Sequence, residues 1–147
     1  MVLVHGAFAD ASSWDGVVAR LQRRGYPVIA PANPLRSVSG DAACIASVVR
    51  NVRGDVILVG HSYGGSVITN AARQASNVKA LVYPVWKKIP SWAIITTQDK
   101  AIDPNGQRWM AKRATAHVVE VKSSHAVSVN HPGAVADAIF DADLGTR

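Results

Sequence analysis

Cysteine is nearly absent from this chain of 147 residues: a lone Cys44 rules out an internal disulfide, and no Cys or His spacing matches a zinc site. Cys44 stands among small and branched apolar residues, which predicts a buried structural thiol. Long apolar runs are missing too. Nothing approaches the roughly 18 residues of a membrane span. The opening Met1-Val2-Leu3-Val4 carries neither the basic stretch nor the extended apolar stretch of a signal peptide. A soluble cytoplasmic protein without a membrane partner is expected. A concentrated charge is lacking as well. The net charge is +6, but the densest basic groups are Arg23-Arg24 and Lys87-Lys88, too short for the continuous stripe that tracks phosphates, so no nucleic-acid partner is expected. What is present, 48% hydrophobic against 18% charged residues, is the balance of a globular protein. The length suits one domain over residues 1–147.

Short branched apolar runs alternate with segments of helical period, the pattern of a parallel sheet with crossover helices. Strands are expected at 1–4, 27–30, 55–59, 78–83, 91–97 and 117–121. The run Val56-Ile57-Leu58-Val59 is apolar at every position, as a central strand covered on both faces requires. Ser12-Ser13-Trp14-Asp15 fits a capping box for a first helix ending at Gly25. Asp41 is the expected cap of a second helix carrying Ile45, Val48, Val49 and Val52 on one face. A third helix follows from about position 63 to 75. Asp103-Pro104 supplies an N-cap and an N1 proline for a fourth running to about position 114. A fifth is expected over 132–140. Six strands, mostly parallel, and about five helices form a single α/β domain.

Gly60-His61-Ser62-Tyr63-Gly64 stands where the central strand meets a helix, and matches the G-x-S-x-G nucleophile elbow in sequence and context. Such a turn exposes the serine hydroxyl at a helix N-terminus, where the helix dipole favours developing negative charge. Val4-His5-Gly6-Ala7-Phe8 follows the first strand. Its Ala7 amide, with that of Tyr63, would make the two-donor oxyanion hole that acyl transfer needs. A serine needs a base within reach and a group that fixes the tautomer of that base. His125 follows the strand at 117–121, and Asp99 follows the strand at 91–97, both at the carboxyl edge of the sheet. Asp103 is the rival acid, but its place before Pro104 suits an N-cap. His5, His61, His117 and His131 read as structural residues of loops and element ends.

Taken together, Val2-Leu3-Val4-His5-Gly6-Ala7, the elbow at 60–64, Asp99 and Ser124-His125 resemble the α/β-hydrolase superfamily along most of the chain. The resemblance is nearest to the small branch of methylesterases, hydroxynitrile lyases and haloperoxidase-like esterases that use no cofactor. It implies a single-domain α/β-hydrolase fold and a metal-free, cofactor-free acyl transfer. Ser62 attacks an ester, His125 shuttles the proton, Asp99 orients it, and Phe8 and His61 border the substrate. Lyase or perhydrolase chemistry could reuse the same residues, and a degenerate binding protein is the noncatalytic alternative.

Members of that branch carry a helical lid after the strand at 78–83. Here only Pro84-Val85-Trp86-Lys87-Lys88-Ile89-Pro90 remains, so no cap domain is expected. A parallel connection normally takes a dozen or more residues. Seven extended residues cover about 23 Å, barely the roughly 17 to 20 Å needed to return along a five-residue strand and cross to its neighbour. A hairpin turn there would instead carry Asp99 to the opposite edge. Exposed Val85, Trp86 and Trp92 would recruit a second copy as a homodimer or strand-exchanged assembly. Without lid walls, an open site taking short-chain esters is expected.

Overall fold

Val56–Gly60 forms β2 as an unbroken buried strand, because no polar side chain interrupts it and helices cover both its faces. The computed structural model describes residues 1–82 and 89–147. In chain order the elements are β1 (Val2–Val4), a 3₁₀ turn (Ala11–Trp14), α1 (Asp15–Arg23), α2 (Val38–Arg50), β2, α3 (Tyr63–Ala71), a 3₁₀ turn (Ala72–Gln74), β3 (Val78–Val82), β4 (Ser91–Thr96), α4 (Pro104–Arg113), β5 (His117–Val121), α5 (Val127–Asn130) and α6 (Pro132–Leu144). The sheet runs β1-β2-β3-β4-β5, and every neighbouring pair is parallel.

Alternation along the strands sorts the core into layers. Leu3, Ile57, Val59, Trp92 and Ile94 point to the face covered by α1, α5 and α6, where Trp14, Leu21 and Ile139 meet them. Val2, Val4, Val56, Leu58 and Leu81 point the other way, onto Ile45 and Val49 of α2 and Val67 and Ile68 of α3. Ala93 and Ile95 continue this second face to Ala111 of α4.

Among the described residues five strands form where six are expected. The segment at 27–30 contributes a single bridge, Val2 to Ile29, with Leu3 N–H donating to Ile29 O and Ile29 N–H to Met1 O. Pro27 and Pro31 flank it, and a proline lacks the N–H that a longer ladder would use. The first two caps also differ from expectation. Asp10 rather than Ser12 caps the first turn, its carboxylate accepting the Ser12 amide, because a charged acceptor outcompetes a hydroxyl at a helix N-terminus. Ser37 caps α2, and Asp41 is buried within it, accepting from Tyr63 Oη at 2.7 Å. Cys44 is exposed, not buried, because it lies on the outer face of α2 while Ile45 takes the inner one. The short helix α5 lies between the fourth and final predicted helices, and α6 extends to Leu144.

β4 is staggered along β3. Leu81 pairs with Ser91 and Val82 with Trp92, so the chain returns only to the level of the last residues of β3 and stays parallel. The strand predicted to 83 is described to Val82. Val85 and Trp86, expected to be exposed, lie outside the described residues. Trp92 is buried rather than exposed, stacked on His117 with ring centroids 4.8 Å apart and packed against Gly145.

Candidate active site

The carboxyl ends of β1, β2, β4 and β5 carry the loops of the site. Ser62 sits between β2 and α3 with φ 53° and ψ −122°, in the left-handed half of backbone space that a side chain enters at a cost. Gly64 makes the turn possible: a Cβ there would collide with the carbonyl oxygen of Val4. Gly6 does the same for the loop after β1, since its Cβ would stand 2.9 Å from His61 O and 3.0 Å from Ser62 Cβ. The loop at 5–8 is thereby pressed against the elbow. Tyr63 opens α3, so its amide has no intrahelical acceptor. The Ala7 amide joins none of the backbone hydrogen bonds of the described residues. His5 fixes this loop from behind: its Nε2 accepts the Asn33 amide at 2.9 Å, and its Nδ1 donates to Gly6 O at 2.9 Å. Phe8, at φ 61°, projects into solvent beside it.

On the other side of the rim, His125 Nδ1 lies 2.8 Å from Asp99 Oδ2. A carboxylate accepts only, so Nδ1 carries the proton and Nε2 presents a lone pair. Asp99 is held by a dense set of donors. Its Oδ1 accepts the amides of Ala101 and Ile102 at 2.8 and 3.0 Å. Its Oδ2 also accepts from Thr96 Oγ1 at 2.8 Å and Gln107 Nε2 at 3.0 Å. Burial raises the carboxyl pKa, but the Ile102 amide, His125, Thr96 and the Ala101 amide outweigh it and bring it to about 2. Asp99 is therefore ionised across the neutral range. Asp103, the rival acid, accepts the Asn105 amide as the N-cap of α4.

The elbow and the Asp99–His125 pair meet through His61. Its Nε2 lies 2.7 Å from the His125 carbonyl oxygen, and the two rings are 4.8 Å apart. The edge of Trp14 packs against the far side of the His61 ring. Burial is the main force lowering the His61 pKa, consistent with a neutral ring that donates to the carbonyl. The placement of His61 is thus against His125 itself. Among the described residues, Ser62 Oγ and His125 Nε2 have no hydrogen-bond partner. Catalytic hydrogen bonds are often long before substrate binds and tighten in the complex.

Gln107 escapes a reading of the sequence. Buried on α4, it donates to Asp99 and to Ile102 O while its Oε1 accepts the Thr96 amide at 2.9 Å. The signal available was a polar residue four positions before Ala111 on the stripe of α4 that faces the sheet. Among the described residues no group of His, Cys, Asp and Glu is arranged to hold a metal ion, and no helix is long and apolar enough to cross a membrane.

This arrangement of strands, elbow and loops is that of an α/β hydrolase. A family profile described as "Alpha/beta hydrolase family" matches residues 1–83, and the chain belongs to that family. Among curated proteins it is 38% identical over 95 residues to a carbendazim hydrolyzing esterase of Nocardioides sp. (strain SG-4G), covering 56% of this chain and 39% of that one. It is 31% identical over 96 residues to a pyrethroid hydrolase of Sphingobium wenxiniae, covering 56% and 34%. The chain thus spans between a third and two fifths of the length of these relatives. Among solved structures, a pyrethroid hydrolase from Sphingobium faniae JZ-2 superposes with a TM-score of 0.84 at 20% identity, covering 97% of this chain and 96% of that one. An extracellular α/β-hydrolase from a Paenibacillus species gives 0.78 at 17%, covering 96% and 97%. At these identities the likeness is one of fold.

Proposed function

We propose that this chain hydrolyses carboxylic esters through an acyl-enzyme on Ser62, with His125 as general base and Asp99 as the group that orients it. The observation that carries the reading is the short Asp99–His125 pair, which leaves a basic Nε2 on the same rim as a serine held in a strained elbow. Ser62 Oγ attacks the ester carbonyl carbon, and its proton passes to His125 Nε2. The carbonyl oxygen becomes an oxyanion, for which the Ala7 and Tyr63 amides are the donors. As the tetrahedral species collapses, the bond to the alcohol oxygen breaks and Nε2 returns the proton to that oxygen. Water then attacks the acyl-enzyme, giving its proton to Nε2, and the carboxylic acid leaves as Ser62 regains a proton. Asp99, ionised throughout, stabilises the imidazolium formed in each half. No metal or cofactor enters these steps. The two curated relatives, named for ester and pyrethroid hydrolysis, support the same reaction class.

The test is covalent labelling. A fluorophosphonate should modify Ser62 in the intact chain and leave Ser62→Ala unlabelled, and that variant should lose turnover of p-nitrophenyl acetate. Equal labelling or turnover by Ser62→Ala would overturn the assignment.

A further inference from the structure

We infer that His61 is a positioning residue, whose ring N–H ties the backbone of His125 to the elbow and so keeps the His125 imidazole in register with Ser62. The inference rests on the serine-hydrolase reading and adds to it the means by which base and nucleophile are held together. The family resemblance sets His61 at the border of the substrate. The structure sets it against the base instead, with Nε2 2.7 Å from the His125 carbonyl oxygen and the two rings 4.8 Å apart.

The topology explains why such a tie is needed. Ser62 follows β2 and His125 follows β5, with β3 and β4 lying between them in the sheet. Asp99 holds His125 through Nδ1, and a single hydrogen bond leaves a ring free to swing about it. Among the described residues, the His61 contact is the one hydrogen bond that joins residues 60–64 to residues 122–127. It clamps His125 at a second point, its own carbonyl. His61 directly precedes Ser62, so this clamp is gauged from a Cα only about 3.8 Å from that of the nucleophile.

The clamp is itself held. Trp14, almost fully buried, packs edge-on against the His61 ring at a centroid distance of 6.4 Å. The loop after β1 closes in as well, since a Cβ at Gly6 would stand 3.3 Å from His61 Nδ1. A carbonyl only accepts, so the neutral ring carries its proton on Nε2. Burial, the largest influence, and the neighbouring His125 lower the His61 pKa against the opposing pull of the His125 carbonyl and Asp99. The tie is thereby made without charge. A second imidazolium this close would oppose the one that His125 forms in catalysis.

The experiment compares His61→Leu, which removes the N–H at similar bulk, with His61→Gln, whose amide N–H reaches nearly as far. On p-nitrophenyl acetate, His61→Leu should lower kcat about 10²-fold, the loss that a displacement of about 1 Å brings. KM should stay within about threefold, because both halves of the reaction use His125 and KM follows their ratio. His61→Gln should recover at least tenfold of the lost kcat. A fall in kcat below tenfold in His61→Leu, a change confined to KM, or no recovery in His61→Gln overturns the inference and leaves the hydrolase reading intact. Should His61→Leu not fold, His61→Asn, whose amide stops short of the carbonyl, takes its place with the same expectations. NMR of 15N-histidine-labelled protein reads the tie without turnover. In the wild type, His61 should carry its proton on Nε2. The His125 Nδ1–H signal should broaden by exchange with water in His61→Leu and persist in His61→Gln. A proton on His61 Nδ1 instead overturns the inference regardless of the kinetics. If the wild type neither turns over esters nor takes up the fluorophosphonate, the hydrolase reading falls; the tie then stands if these signals behave as stated and falls if they do not.

Discussion

The two ends of the sheet are built to different standards. At β1 and β2 every strand residue is buried, with helices packed on both faces. At the other edge β5 is exposed along its first four residues, and Val118 and Val119 face solvent. The proposed nucleophile rides on the well-packed end and His125 on the thin one, while Asp99 follows β4, buried along its whole length. What compensates at the thin end is polar: Gln107, Thr96 and two loop amides converge on Asp99, and Gln98 N–H donates to Ser123 O to tie the loops together. Apolar burial fixes one half of the site, and hydrogen bonds fix the other.

The largest effect should come from the polar half. Asp99→Asn should lower kcat by about 10³- to 10⁴-fold through loss of the correct His125 tautomer, measured on p-nitrophenyl esters, with the near-ultraviolet circular dichroism retained. A loss below tenfold would show that the carboxylate network does not position His125.

Next in size is the packed half. Leu58, fully buried between β1 and β3, should cost about 2–5 kcal/mol on truncation to alanine, read by urea unfolding. Acid should then probe the polar network. Asp99 and Asp143 are both lowered to about 2 from 3.8. A depressed carboxylate contributes stability that is present above its unfolded pKa and lost as pH falls through the folded value. Each therefore accounts for about 2 kcal/mol that disappears between about pH 4 and 2. The urea midpoint should fall steeply across that window, and Asp143→Asn, which releases Lys79 and Arg147, should flatten the fall. The smallest effect belongs to β5: Val119→Ala, at an exposed position, should change stability by no more than about 0.5 kcal/mol. A loss comparable to that of Leu58→Ala would erase the contrast between the two ends.

Legibility from sequence follows the same division. Apolar runs announce β2 and the helices beside it, and a glycine-flanked serine announces the elbow, because both are dictated by neighbours within a few residues. Asp99 and His125 can be placed because each follows a strand whose direction fixes the edge at which it emerges. Other features depend on contacts distant in sequence. Asp41 reads as a cap until Tyr63 is seen donating to it from α3. Gln107 reads as an ordinary helix residue until β4 lies beneath it. The bridge at Ile29 falls short of a strand because its pairing ends after one residue. The stagger of β4 on β3 is invisible to a reach calculation that assumes strands begin level.

The backbone at Ser62 has a consequence for how this chain tolerates change. A residue other than glycine held at φ 53° and ψ −122° carries a standing penalty of about 1–3 kcal/mol, which Ser62→Gly would relieve while deleting the hydroxyl. On the role proposed for Ser62, robustness and reactivity pull in opposite directions at one atom. Any library screened for heat resistance alone would drift toward an inert, sturdier protein, and only a selection that demands turnover would keep the serine in place.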